Sequence, residues 1–335
     1  MSAELALDLG TAWTRIADAS GALVVEEPTI AAVDRDSGRV VAFGKEALGH
    51  GARASGRVRI QRPMRHGQLV DIDLVEAVLA EALRRAGVSR LSHPKVLVCT
   101  HVGATKVQNR ALERAIRRAG AKGVLFLAQP TACAIGAGLS IDEPTGSMVA
   151  DVGAGTTDVG VLALGGLVVA ASFASGADDF DEAIRTYLAR ERGILVDLST
   201  AEAARIEIGS ISLEAAGAHA EVAGRDAKTG RQTSALVEAS EIGPILEELV
   251  TPILEAVVTV ITQAPPELVN DLLSSGVLLA GGGALLGGFD ERLAKATGLP
   301  VHIASDGGRA AILGAARCLG ISDGLSYAVS VARSR

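Results

Sequence analysis

A short pattern that occurs twice constrains this chain more than any other feature. Leu7-Asp8-Leu-Gly10-Thr-Ala-Trp-Thr14 and Ala150-Asp151-Val-Gly153-Ala-Gly-Thr-Thr157 agree in the positions of Asp, Gly and Thr, 143 residues apart. Each is an apolar run that breaks on a carboxylate, turns through Gly and Thr, and resumes. After one residue of slippage, Gly21-Ala-Leu-Val-Val25 answers Gly165-Gly-Leu-Val-Val169. Two half-chains that each open strand, turn, strand, turn, strand point to a duplicated domain whose turns face each other across a cleft. Glycines let successive N–H groups converge on an anion, threonine hydroxyls add donors, and the Asp faces the cation that accompanies phosphates.

The length of 335 residues agrees with two domains of about 150 residues each. With 32 basic against 39 acidic residues, formally −7, there is no electrostatic case for nucleic acid as the main partner. Aromatics are 2%, which removes stacking platforms for single strands and leaves Ala, Val, Leu and Ile to build the core. Cys99, Cys133 and Cys318 are widely spaced and odd in number, against a disulfide framework or zinc knuckle. Met1-Ser-Ala-Glu-Leu lacks the basic and apolar stretches of a signal peptide, and no apolar run reaches the roughly 18 residues of a membrane span. A cytoplasmic location is expected.

Along the chain, Val33–Gly44 predicts a hairpin around Ser37-Gly38, followed by a basic run of Arg53, Arg57, Arg59, Arg62 and Arg65 expected on a solvated or inter-subunit surface, with phosphate or anionic-lipid contact as the alternative. Apolar residues at 74, 75, 78, 79, 82 and 83 predict a helix between Asp71 and Gly87. Lys95–Cys99 and Val124–Leu127 read as strands around a helix over Asn109–Gly120. Pro130 suits a first helical turn, which places Gln129 at a helix start just beyond a strand. In the second half, helices are expected over Phe180–Arg192 and from Ser199 with Thr200 as N-cap. Gly217–Gln232 reads as hairpin and loop, and Glu241–Thr262 as a long helix whose start and bend Pro244 and Pro252 mark. Val277–Ala280 is a strand running into three glycines and a helix, a place where a nucleotide can approach backbone. Strands alternating with helices give an α/β class. Walker, zinc-protease and α/β-hydrolase signatures do not occur.

These residues resemble the actin-like ATPase superfamily, and its bacterial cytoskeletal MreB branch in particular. Asp8-Leu-Gly-Thr-Ala, Asp151-Val-Gly-Ala-Gly-Thr-Thr and Gly281-Gly-Gly-Ala-Leu-Leu286 are similar to the superfamily's ATP-binding motifs. Glu27-Pro, Arg62-Pro-Met-Arg-His-Gly67, Pro130–Gly136, Phe180–Ile184, Arg205-Ile-Glu-Ile-Gly209 and Pro265-Pro-Glu-Leu-Val269 extend the likeness over nearly the whole chain. The resemblance implies two RNase-H-like domains around a nucleotide cleft, each with a smaller insert. Domain I would comprise 1–144 and 308–335 with its insert at about 31–67, and domain II 145–307 with its insert at about 178–250.

By position, the resemblance implies that Asp8, Gly10, Thr11 and Ala12 form one phosphate loop and Gly153, Ala154, Gly155 and Thr157 the other. Glu202 and Arg205 would meet ribose and adenine, and Gly281, Gly282, Gly283 and Ala284 would line the nucleoside. Gln129, Asp151 and Thr156 would act in hydrolysis, and Asp8 and Asp151 would face Mg2+ on ATP. Trp13 stands where the family usually has Asn, Ala154 where it has a third Gly, Ala177 where it has Gly, and Gln129 where it has Glu but actin has Gln. A neutral amide still orients water, so slow ATP hydrolysis is expected. The implied function is a head-to-tail filament directing cell shape with cell-wall-synthesis or morphogenesis proteins. A monomeric or degenerate relative, serving as adaptor, chaperone or kinase, is the alternative. Membrane attachment is expected to be weak or indirect, peripheral to the inner face of the cell membrane at most, because Val88-Ser-Arg-Leu91 offers a single leucine.

Overall fold

Two five-stranded sheets with one topology carry the chain. The computed structural model describes residues 4–53, 56–89, 92–212, 217–320 and Tyr327; Leu91 and Met1–Ala3 lie outside them. The first half runs β1 (Glu4–Leu9), β2 (Trp13–Asp18), β3 (Leu23–Pro28), β4 (Ala31–Asp34), β5 (Val40–Phe43), α1 (Lys45–Arg53), β6 (Val58–Gln61), β7 (Met64–Arg65), β8 (Gln68–Leu69), α2 (Ile72–Arg85), β9 (Lys95–Thr100), α3 (Lys106–Arg118), β10 (Gly123–Ala128) and α4 (Gln129–Ala137). The second runs β11 (Ser147–Val152), β12 (Thr157–Ala163), β13 (Gly166–Phe173), α5 (Ala177–Glu191), β14 (Ile194–Leu195), α6 (Leu198–Ile208), β15 (His219–Asp226), β16 (Gln232–Glu238), α7 (Ala239–Gln263), α8 (Pro266–Ser275), β17 (Val277–Ala280), α9 (Phe289–Thr297), β18 (Val301–Ile303) and α10 (Ala310–Gly320).

The sheet orders are β10-β9-β1-β2-β3 and β18-β17-β11-β12-β13. In both, three antiparallel strands continue into two parallel ones. The duplication extends to the helices, with α3 and α9 preceding the last parallel strand and α4 and α10 following it. Small three-stranded sheets, β5-β4-β6 and β14-β15-β16, occupy the connections after β3 and β13.

Cores form where the strand pattern demands. β12 is buried along its whole length, since both its faces are covered. Phe180, Ile184 and Leu188 of α5 are fully buried against Ile242, Leu246 and Val250 of α7, each such side chain contributing about 1.5–3 kcal/mol. A third cluster joins the halves: α4, apolar on all sides, meets α10 so closely that only hydrogen fits at the crossing. A Cβ on Gly136 would stand 1.9 Å from the Ala310 carbonyl oxygen, and one on Gly314 1.8 Å from that of Ala132. Glu26, at about 2 through its hydrogen bonds from Arg309 and Arg15, ties β3 to the turn that leads into α10.

Element ends differ from the sequence expectation wherever a cap lies upstream of the periodic residues. α3 starts at Lys106 because Thr105 and Gln108 form a capping box. α5 starts at Ala177, one turn before Phe180. Asp197, not Thr200, caps α6, accepting from the Thr200 amide at 2.8 Å. α7 contains both Pro244 and Pro252 in its interior. The glycines after β17 enter a 3-10 turn, Gly282–Leu285, instead of an α-helix.

Candidate functional site

The two Asp-containing turns are built alike. Gly10 N–H donates to Trp13 O at 2.9 Å and Gly153 N–H to Thr156 O at 2.8 Å, each closing a tight turn between antiparallel strands. The turns meet: a Cβ on Gly155 would lie 2.5 Å from Thr11 Oγ1 and 2.9 Å from His66 Cα. The hairpin between β7 and β8 sits over this junction, its Gly67 N–H donating to Thr11 Oγ1 at 3.2 Å. A cavity of about 370 Å³ opens between the halves.

Asp8, Gly10, Thr11, Ala12, Gln129, Asp151, Gly153, Ala154, Gly155, Thr156, Glu202, Arg205, Gly281 and Gly282 all line this cavity. Three expected residues do not. Thr157 is fully buried and its hydroxyl donates to Ser175 O at 2.9 Å. Gly283 and Ala284 turn inward behind the 3-10 turn, where a Cβ on Gly283 would meet Val152 Cγ1 at 2.5 Å.

The carboxylates are the electrostatic centre. Asp8 and Asp151 are 7% and 4% exposed. Burial raises Asp8, while Arg15, its cross-strand partner at 3.9 Å, draws it back. Asp151 faces Asp158 at the equivalent place in the second sheet, and burial with the charges of Asp158 and Asp8 pushes it up to about 8. Excess buried negative charge of this kind invites a cation. Among the described residues no group of three or more His, Cys, Asp or Glu forms a cage of its own. A hard cation here would take two carboxylate oxygens and need the rest from its ligand and water, the habit of Mg2+ on phosphates.

The second turn is pinned to α5. Ala177 N–H donates to Gly153 O at 3.0 Å and Asp178 N–H to Ala154 O at 2.8 Å. Asp178 in turn accepts from Arg62 at 3.0 and 3.2 Å, so Arg62 bridges the halves and the surface reading of the basic run fails at this residue. Arg205 is buried and donates to Asp181 at 2.6 Å, which fixes it beside Glu202. Ile206 and Leu285 also line the cavity, the residues 72% and 69% exposed. Neither was signalled in the sequence, because an apolar residue awaiting a ligand looks like any apolar residue.

The MreB/Mbl protein family model matches residues 2–325. The chain belongs to the MreB/Mbl family. Cell shape-determining protein MreB of Escherichia coli K12 is 38% identical over 311 residues, 91% of this chain and 90% of its own. Cell shape-determining protein Mbl of Bacillus cereus is 35% identical over 304 residues, 90% and 91%. MreB5 of Spiroplasma citri, solved with ADP, superposes with a TM-score of 0.87 at 29% identity, covering 94% of this chain and 95% of its own. The MamK double helical filament superposes at 0.79 with 20% identity, 94% and 98% covered, a likeness of fold. The fold is therefore actin-like. Within it Trp13 keeps the turn through its backbone carbonyl, and its ring lies 5.4 Å from the Arg15 guanidinium. Ala154 and Ala177 serve the turn through their backbone O and N.

Proposed function

We propose that this chain binds and slowly hydrolyses ATP and assembles head to tail into filaments that direct cell shape and cell-wall synthesis. The observation that carries the reading is the pair of matched Asp turns facing one cavity, in a chain that matches its family over residues 2–325. The relatives' names add cell-shape determination, and MreB5 of Spiroplasma citri is known with both ADP and AMPPNP. We place the domain boundaries at 1–144 with 308–335, and 145–307.

Backbone N–H groups and hydroxyls of Gly10–Ala12 and Gly153–Thr156 hold the phosphates, and Glu202, Arg205 and Gly281–Gly282 hold the nucleoside. Asp8 and Asp151 would hold Mg2+, which supplies charge neutralisation at the β- and γ-phosphates. Gln129, at the N-terminus of α4, orients the water; its amide donates and accepts hydrogen bonds but takes no proton. Head-to-tail contact is heterologous and non-closing, the symmetry of filaments.

Gln129→Ala tests the assignment. Phosphate release should fall at least about tenfold with the ATP dissociation constant within a few fold, because the group meets water more than nucleotide. A collapse of affinity with an unchanged catalytic constant would make Gln129 a structural cap.

A further inference from the structure

The duplication leaves one residue without its counterpart's role. Arg15 neutralises Asp8 in the first sheet, but the equivalent position of the second holds Asp158, another carboxylate, opposite Asp151. Asp158 is 0% exposed. Its Oδ1 accepts from the Val102 N–H at 2.8 Å, a bond that crosses from one half to the other. Its Oδ2 is buried with no hydrogen-bond partner, and so is Nδ1 of the adjacent His101. Burial raises the Asp158 carboxyl, and the Val102 amide and His101 pull it back, followed by Ser172 and Thr156, whose hydroxyls leave Oδ2 without a bond of good geometry. Orphaned buried polar atoms cost about 1–3 kcal/mol each, and His101, whose charge bears on Asp158, leaves its Nδ1 as unpartnered as Asp158 Oδ2.

The imidazole has a definite orientation. A Cβ on Gly103 would lie 3.4 Å from Nδ1 and 3.3 Å from Oγ of Ser172, the residue that pairs with Asp158 across β12 and β13. The Nδ1 edge therefore faces the Asp158 side. The opposite edge faces the turns: a Cβ on Gly67 would stand 3.4 Å from Cδ2, 3.5 Å from Nε2 and 2.6 Å from Thr156 Cγ2. His101 lines the same cavity as Gln129. Asp158 of β12 is an ionisable group beside the ring, and Asp8 and Asp151 line the same cavity.

We propose that His101 accepts the proton of the attacking water, with Asp158 as the positioning residue behind its ring. This rests on the ATP-hydrolysis reading above. The water oxygen bonds to the γ-phosphorus, the bond to the β,γ-bridging oxygen breaks with its electron pair going to ADP, and the water's proton passes to Nε2. Gln129 aims the water and His101 receives the proton, since the Gln129 amide takes none. Asp158 fixes which nitrogen carries the resting proton, the role of a carboxylate behind a basic imidazole.

The test measures ATP affinity, phosphate release and its pH profile for the wild-type protein, His101→Gln and Asp158→Asn, with melting temperatures alongside. A general base must be unprotonated to act, so the wild-type rate should fall on the acidic side. His101→Gln should lose about a hundredfold in rate, lose that acidic limb, and keep ATP affinity within threefold. Asp158→Asn should keep the limb but move it to lower pH. His101→Gln lies at the cavity wall, so it decides the matter even where Asp158→Asn does not fold. A His101→Gln protein with wild-type rate and limb overturns the proposal, whereas a wild-type protein that binds ATP without turning it over overturns the hydrolysis reading on which it rests. A wild-type protein that binds no nucleotide overturns the underlying ATP reading instead.

Discussion

Asp151 carries opposite demands in folding and in function. Its carboxyl is pushed up to about 8, so the folded chain without a cation favours the protonated form. A group whose folded pKa is raised stabilises fully below its unfolded pKa and loses that stabilisation as pH rises through the folded value. Without nucleotide, the protein should lose stability between about pH 4 and pH 8, and Asp151→Asn should remove the Asp151 share of that slope and raise the melting temperature at pH 8. The same variant should lose at least about a hundredfold in Mg2+-dependent phosphate release, because charge and position supply the catalysis. Thermal scans over pH, with a phosphate assay, check both. Equal activity in the variant would remove Asp151 from the cation site. The sequence located this residue through its repeat, but not the contrast between Arg15 and Asp158 behind the two carboxylates. That contrast is a matter of which residues strand register sets opposite each other.

At the scale of elements, two glycines set the α4–α10 crossing. Gly136 and Gly314 each lie against the other helix's backbone, within 2 Å of a carbonyl oxygen once a Cβ is added. Gly314→Ala should cost about 2–3 kcal/mol by forcing the helices apart. Denaturant unfolding measures it, and a loss under 0.5 kcal/mol would mean the crossing relaxes freely. Helical and strand periodicity gave the right element types through most of the chain: the helix expected between Asp71 and Gly87 is α2, with Asp71 as its N-cap. Boundaries moved where capping chemistry overrode periodicity, as at Thr105 and Asp197. The glycines at Gly281–Gly283 misled differently, because a strand ending on glycines is followed equally well by a 3-10 turn.

For the whole molecule, the repeat at an offset of 143 residues was enough to foretell two sheets of one topology. What it could not show is how the halves hold each other. The contacts Arg62–Asp178 and Val102–Asp158, which cross between the halves, join residues 116 and 56 positions apart in sequence, with no local signature. No helix among the described residues is long and apolar enough to cross a membrane. The most direct test is sedimentation of the protein at micromolar concentration with ATP and Mg2+, with ADP, and without nucleotide, backed by negative-stain microscopy. The account predicts pelleted linear filaments with ATP and Mg2+ and a soluble protein without nucleotide. A protein that binds ATP yet stays monomeric in every condition would contradict it.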